Sequence, residues 1–192
     1  NFDTLVYRKK LFVDELNVDS LYASIFKDKR KAINLKRIAE YPGQKIKKLK
    51  LPVMIKNVRA TNISVDNDEL KPDGTHAKVK VANINAVISN YTNIDSIVPM
   101  ILKGSGYIEN KAYFDIQLAF SYQLPQFNFN GTIKKFDLTD LNPLLKSYAP
   151  VHIKKGIVDQ ITFSGIAYKN SSAGTLTFLY YNLDIDLELK ER

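Results

Sequence analysis

Hydrophobic positions along this chain recur every second residue, which is the period of a half-buried β-strand. Phe114, Ile116, Leu118, Phe120 and Tyr122 share one phase, with Asp115, Gln117, Ala119 and Ser121 between them. Phe127, Phe129 and Ile133 continue the pattern opposite Asn128, Asn130 and Thr132. Leu124-Pro125-Gln126 separates these runs, which predicts a hairpin with Pro125 in the turn or on an edge. Near the C-terminus Leu176, Phe178 and Tyr180 hold one phase, while Leu183, Ile185, Leu187 and Leu189 hold the other. One extra residue at Tyr181-Asn182, a β-bulge, keeps both sets on one face. The same slip falls between Val79/Val81 and Ile84/Ala86/Ile88. Two long strands with mid-strand phase changes predict a strongly twisted, curved sheet.

Further strands are expected near 4–18, 20–27, 53–66, 98–109 and 152–168. Two short helices complete the reading. The first runs from about Lys29 to Glu40, packs Ile33, Leu35 and Ile38, and stops at Tyr41-Pro42-Gly43. The second covers about 139–147, capped by Asp137 or Thr139, with Leu141, Leu144 and Leu145 as its apolar stripe. Pro143 falls early in that helix, where a missing N–H costs little. The polar stretch Asp66 to His76 reads as the most loop-like segment. The fold class is therefore mainly β with minor α: a long, twisted antiparallel sheet forming a curved groove or a partly open sandwich. It makes a single domain over 1–192, with sub-units 1–45 and 46–192 as the other division.

The chain has 192 residues, 45% hydrophobic, with 11 Tyr, 10 Phe and no Cys. That is enough apolar material for a core, and it removes disulfides, thiolate metal sites and cysteine nucleophiles. Its net charge is +8. Basic residues cluster at Lys45, Lys47, Lys48 and Lys50, and at Lys27, Lys29, Arg30, Lys31, Lys36 and Arg37. Neither cluster interleaves aromatics as a base-stacking platform. Solvated charge and an anionic lipid surface thus stand ahead of nucleic acid, which is not expected as a partner. No run of about 18 apolar residues exists. The chain opens at Asn1 in strand-like sequence, so a fragment of a longer protein is expected, with any anchor upstream.

Catalytic patterns are weak. His76 and His152 are the two histidines, and they read as surface residues. Asp66, Asp68, Glu69 and Asp73 precede Gly74 without calcium-loop spacing, and Pro72 interrupts them. Asp184, Asp186 and Glu188 form the outward face of an alternating strand. Gly104-Ser105-Gly106 lacks the strand–turn–helix context of a phosphate loop or nucleophile elbow. Asn62, Asn90, Asn130 and Asn170 each begin an Asn-x-Ser/Thr triplet, as chance allows in an Asn-rich β protein. No catalytic residue, metal ligand or cofactor is assigned. The long apolar faces exceed what two short helices can shield. Either two sheets close on each other or one curved sheet leaves an apolar trough that suits acyl chains, at about 0.8 kcal/mol per methylene buried.

Four segments in order carry a resemblance: Val79 to Asn93, ending Ile88-Ser-Asn-Tyr-Thr-Asn93; Leu49 to Val58 with Ile63-Ser-Val65; Phe136 to Leu145 followed by Val151 to Val158; and Gly174 to Ile185. Over roughly 46–189 the chain resembles AsmA-like envelope proteins, particularly those of Bacteroidetes. The resemblance implies a periplasmic domain of a protein anchored in the inner membrane. It also implies a role in phospholipid transport between the inner and outer membranes and in outer-membrane assembly, through hydrophobic β-grooves. No catalytic residues come with that family. The acyl-contacting residues expected here are Phe114, Ile116, Leu118, Phe120, Phe127, Phe129, Leu176 and Phe178, with Lys and Arg on the rim for headgroups. The alternative is a structural or protein-interaction module of the cell envelope that acts through its sheet edges. An enzyme would need a convergent polar pocket that the pattern lacks.

Overall fold

The computed structural model describes residues 9–31, 40–94, 97–149 and 151–187. Ten strands follow in chain order: β1 (Leu11–Asp19), β2 (Tyr22–Asp28), β3 (Val53–Leu70), β4 (His76–Thr92), β5 (Met100–Ile108), β6 (Ala112–Phe120), β7 (Gln126–Ile133), β8 (Phe136–Asp137), β9 (Val151–Tyr168) and β10 (Ser172–Leu187). Two helices interrupt them, α1 (Pro42–Lys47) and α2 (Asn142–Tyr148), the latter entered through a 3-10 turn at Leu138–Leu141. All ten strands belong to one open sheet in the order β1-β3-β4-β5-β6-β7-β9-β10. β2 continues β1 along β3, and β8 extends β7's place along β9. A closed sandwich is thereby overturned among the described residues, because no second sheet faces this one.

The sheet is mixed, not purely antiparallel. β1 and β2 both run parallel to β3, because the chain returns through the segment bearing α1 before β3 begins. From β3 to β10 every pairing is antiparallel.

The phase slips are bulges, and asparagine makes them. Asn83 and Asn182 hold φ of 53° and 55° where β4 and β10 each gain a residue against their neighbours. Asn62 does the same in β3 at φ 55°. Asparagine tolerates this left-handed region better than other side chains, so the bulges are written in its placement. Beside Asn62 the chain turns at Ser20 (φ 57°) between β1 and β2, and the Asn62 amide donates to Ser20 Oγ at 3.1 Å. Ser20, Asn62 and Asn83 thus lie along one crease that crosses neighbouring strands and bends them together.

One loop expectation needs correction, and one short helix was not expected. The stretch proposed as a first helix lies mostly on 32–39, outside the described residues, as do Ile33, Leu35 and Ile38; Lys29 to Lys31 form a turn. Pro42 starts a helix: it occupies the first turn of α1, where no N–H partner is required. Asp66, Asp68 and Glu69 lie on β3, leaving only Lys71–Thr75 as a tight turn, with Gly74 at φ 82°. The reason is cross-strand charge pairing, which lets a polar sequence stay extended. Asp66 and Asp68 sit opposite Lys80 and Lys78, and Glu69 Oε2 lies 2.5 Å from Lys29 Nζ. The second helix forms as expected; Asp137 caps the 3-10 turn that leads into it, its carboxylate accepting from Thr139 N at 2.9 Å.

Polar residues of the stretch Asn90-Tyr-Thr-Asn93 lock the loops to the sheet. Asn93 donates to Leu49 O and Leu51 O (2.8 and 2.7 Å) and accepts from Val53 N at 2.6 Å. Thr92, 1% exposed, donates to Val53 O at 2.8 Å. The Tyr122 hydroxyl accepts from Thr92 N at 2.9 Å and donates to Asn90 O, and burial pushes its phenol pKa up. Tyr122→Phe is therefore expected to cost about 1–3 kcal/mol, since it strands a buried N–H. Chemical denaturation that shows no loss would refute this.

Carboxylates also tie β1 to β3 and close the turn that follows β2. Hydrogen bonds from Lys56, Arg59 and Thr61 on β3 hold Asp14, Glu15 and Asp19 below their ordinary pKa values. The Arg30 guanidinium holds Asp28 at about 2. Groups with depressed folded pKa values contribute stability above their unfolded values and lose it as pH falls through the folded ones. Amide exchange in β1 and β2 should accelerate on acidification below the ordinary carboxylate range, relative to β6 and β7. Equal acceleration throughout the sheet would refute this role.

Candidate functional site

In-register residues on neighbouring strands point to the same side of a sheet, so the pairings define its faces. One row runs Leu16–Val58–Ile88–Leu102–Leu118–Phe129–Gly165–Gly174. The next runs Val18–Ala60–Ala86–Gly104–Ile116–Gly131–Phe163–Leu176. Phe114–Ile133–Ile161–Phe178 and Phe120–Phe127–Ala167 flank them. All eight residues singled out from the sequence thus share one face. A row across eight strands is about 34 Å long at ~4.8 Å per strand. The opposite face is polar over the same strands: Asn17–Arg59–Val87–Lys103–Gln117–Asn130–Ser164–Thr175.

The two helices shield the ends of the apolar face and leave its middle. α1 inserts Ile46 among Met100, Phe120 and Tyr122, with Leu102, Leu118 and Phe127 around them. At the other end Leu138, Leu141 and Leu145 cover Ala112, Ile133, Ile153, Val158 and Ile161. Ile116, Phe129, Phe163 and Leu176 belong to neither cluster. Leu176 and Phe178 are 67% and 40% exposed. Beside α1 a hollow of about 330 Å³ opens on this face, lined by Pro42, Ile46, Ile88, Tyr91, Met100, Leu102 and Phe120, with Lys45 at its side.

Aromatic rings and glycines interlock across the open middle. A Cβ on Gly131 would meet Phe163 Cζ at 2.5 Å, and one on Gly165 would meet Phe129 Cζ at 2.7 Å. Each ring lies over the bare backbone of its neighbour, which keeps the surface smooth. The rings also pack against one another at tilted angles, with centroids of Phe127–Phe129 at 6.1 Å and Phe129–Phe163 at 6.4 Å.

Sequence reading missed Ile161 and Phe163, which complete this face on β9. The signal was there in the alternation Ile161-Phe163-Gly165, whose glycine makes room for a ring from β7. The polar candidates stay apart from the face. His76 pairs with Asp68 at 2.7 Å and His152 is exposed at the start of β9. Asp184 and Asp186 pair with Lys155 and Lys154, at 3.9 and 2.7 Å, while Glu188 lies outside the described residues. Gly104-Ser105-Gly106 sits within β5, with its glycines beneath Ala86 and Phe114. Among the described residues no cluster of three or more His, Asp or Glu is placed to hold a metal ion, and no helix is long and apolar enough to cross a membrane.

Comparison with known proteins finds no matching family model, no matching curated protein and no matching solved structure.

Proposed function

We propose that this chain is a non-catalytic β-groove domain that handles phospholipid or another acyl-chain lipid. Its proposed setting is the periplasm, within an AsmA-like protein anchored in the inner membrane, serving lipid movement to the outer membrane and outer-membrane assembly. The observation that carries the reading is the apolar face itself, continuous across eight strands and, among the described residues, shielded at its two ends. Hydrocarbon needs no directional partner, and burying it on such a face stabilises it by about 0.8 kcal/mol per methylene. The ordered segments that resemble AsmA-like proteins supply the cellular setting. Lys45 beside the apolar hollow suits a lipid headgroup.

The test is mass spectrometry of lipids extracted from protein purified without detergent. Phospholipid at near-stoichiometric yield, above that of an unrelated β protein handled identically, is the expected result. Lipid-free protein that also fails to take up a fluorescent phospholipid from vesicles would overturn the proposal in favour of a module acting through its edges.

A further inference from the structure

The two edges of this sheet are built differently. β1 and β2 form one edge and carry Asp14, Glu15, Asp19, Lys27 and Asp28. Charges on an edge strand discourage another strand from adding to it. β10 forms the other edge and, among the described strands, pairs only with β9. From Ser172 to Leu183 it bears no charged residue. It exposes large apolar side chains on both faces: Leu176, Phe178 and Tyr180 on one, Leu179 and Tyr181 on the other. It is also regular from Ser172 to Tyr181, because the irregularity opposite Leu179 and Tyr180 skips a residue of β9, not of β10. A long, neutral and apolar edge is a template for strand addition.

We propose that β10 pairs with β10 of a second copy of this chain, antiparallel about a two-fold axis at Phe178. Charge selects this occupant. The other edge would lay the neutral run Ser172–Leu183 beside a strand carrying Asp14, Glu15 and Asp19, which would find no opposite charge on that run. Self-pairing sets neutral against neutral. Centred on Phe178, it places Phe178 against Phe178 and Leu176 against Tyr180 on the apolar face, and Thr177 against Leu179 on the other. An isologous contact of this kind closes at two copies, so it does not propagate into a fibre. It joins the two apolar faces into one surface, since directly opposed residues share a side.

Sedimentation of the purified chain across a concentration series tests this. A mass of twice the chain at tens of micromolar is expected. Leu176→Lys should weaken association at least tenfold. Adding Tyr180→Glu should restore it, because each lysine then faces a glutamate of the other copy. The chain has no cysteine, so Phe178→Cys should cross-link to a dimer on mild oxidation while Leu16→Cys on the opposite edge should not. Circular dichroism reports whether Leu176→Lys keeps its strands; if it does not, the cysteine pair decides alone. A wild-type monomer at every concentration, no rescue in a folded double variant, or cross-linking through Leu16→Cys in place of Phe178→Cys would each overturn the pairing. None of these readouts depends on bound lipid.

Discussion

Phe129→Asp is expected to abolish acyl-chain binding while leaving the sheet assembled. Phe129 stands at the centre of the apolar face, belongs to neither helix-covered cluster, and touches Phe127 and Phe163. A carboxylate there meets any bound hydrocarbon directly. Desolvating it without a partner costs several kcal/mol, and about 1.4 kcal/mol already weakens binding tenfold. A loss of at least 100-fold in lipid uptake, with little lipid left in the mass spectrum, is the anticipated outcome. Asn130→Asp is the matched control. It adds the same charge one residue along, on the polar face, where Asn130 pairs with Gln117 and Ser164. Wild-type lipid content in Phe129→Asp, or an equal loss in Asn130→Asp, would show that this face is not where lipid sits.

Gly165→Ala should cost far more stability than Gly104→Ala, a single-methyl change on the same face. A Cβ at 165 would lie 2.7 Å from Phe129 Cζ and 2.9 Å from Gly174 Cα, and would press on the Ala173 carbonyl. Two of these three neighbours are backbone, which cannot rotate away. Overpacking of this kind costs about 1–3 kcal/mol, which corresponds to about 3–10 °C in Tm for a chain of this size. Gly104→Ala on the same face makes the contrast, because its nearest contacts would be ordinary ones at 3.5–3.7 Å. Its Tm should stay near wild type. Similar Tm values for both variants would mean that the close approach of β7, β9 and β10 is not what Gly165 provides.

Much of this arrangement was legible in the residues. Alternation put Phe114, Ile116, Leu118, Phe120, Phe127 and Phe129 on one side because the pleat has a period of two whatever the neighbours do. The phase slips at 83 and 182 were legible because a bulge must be inserted wherever an apolar pattern changes phase yet stays on the core face. What misled was composition read without its partner. Asp66 to Glu69 look like a loop until Lys78 and Lys80 stand opposite them. Pro42 opens a helix that the apolar pattern alone does not announce, because only Ile46 of its six residues is a large apolar side chain.

The sequence by itself determined which side chains share a face and where each strand bends, since both follow from local backbone geometry. Only the tertiary structure decided that the strands form one open sheet instead of two closed ones, that β1 and β2 run parallel to β3, and that the helices sit at the ends of the apolar face. Those outcomes depend on contacts between residues far apart in the chain, such as Leu138 with Val158 or Ile46 with Met100. Alternation within a strand is the same whether the opposing layer is a second sheet, a short helix or hydrocarbon.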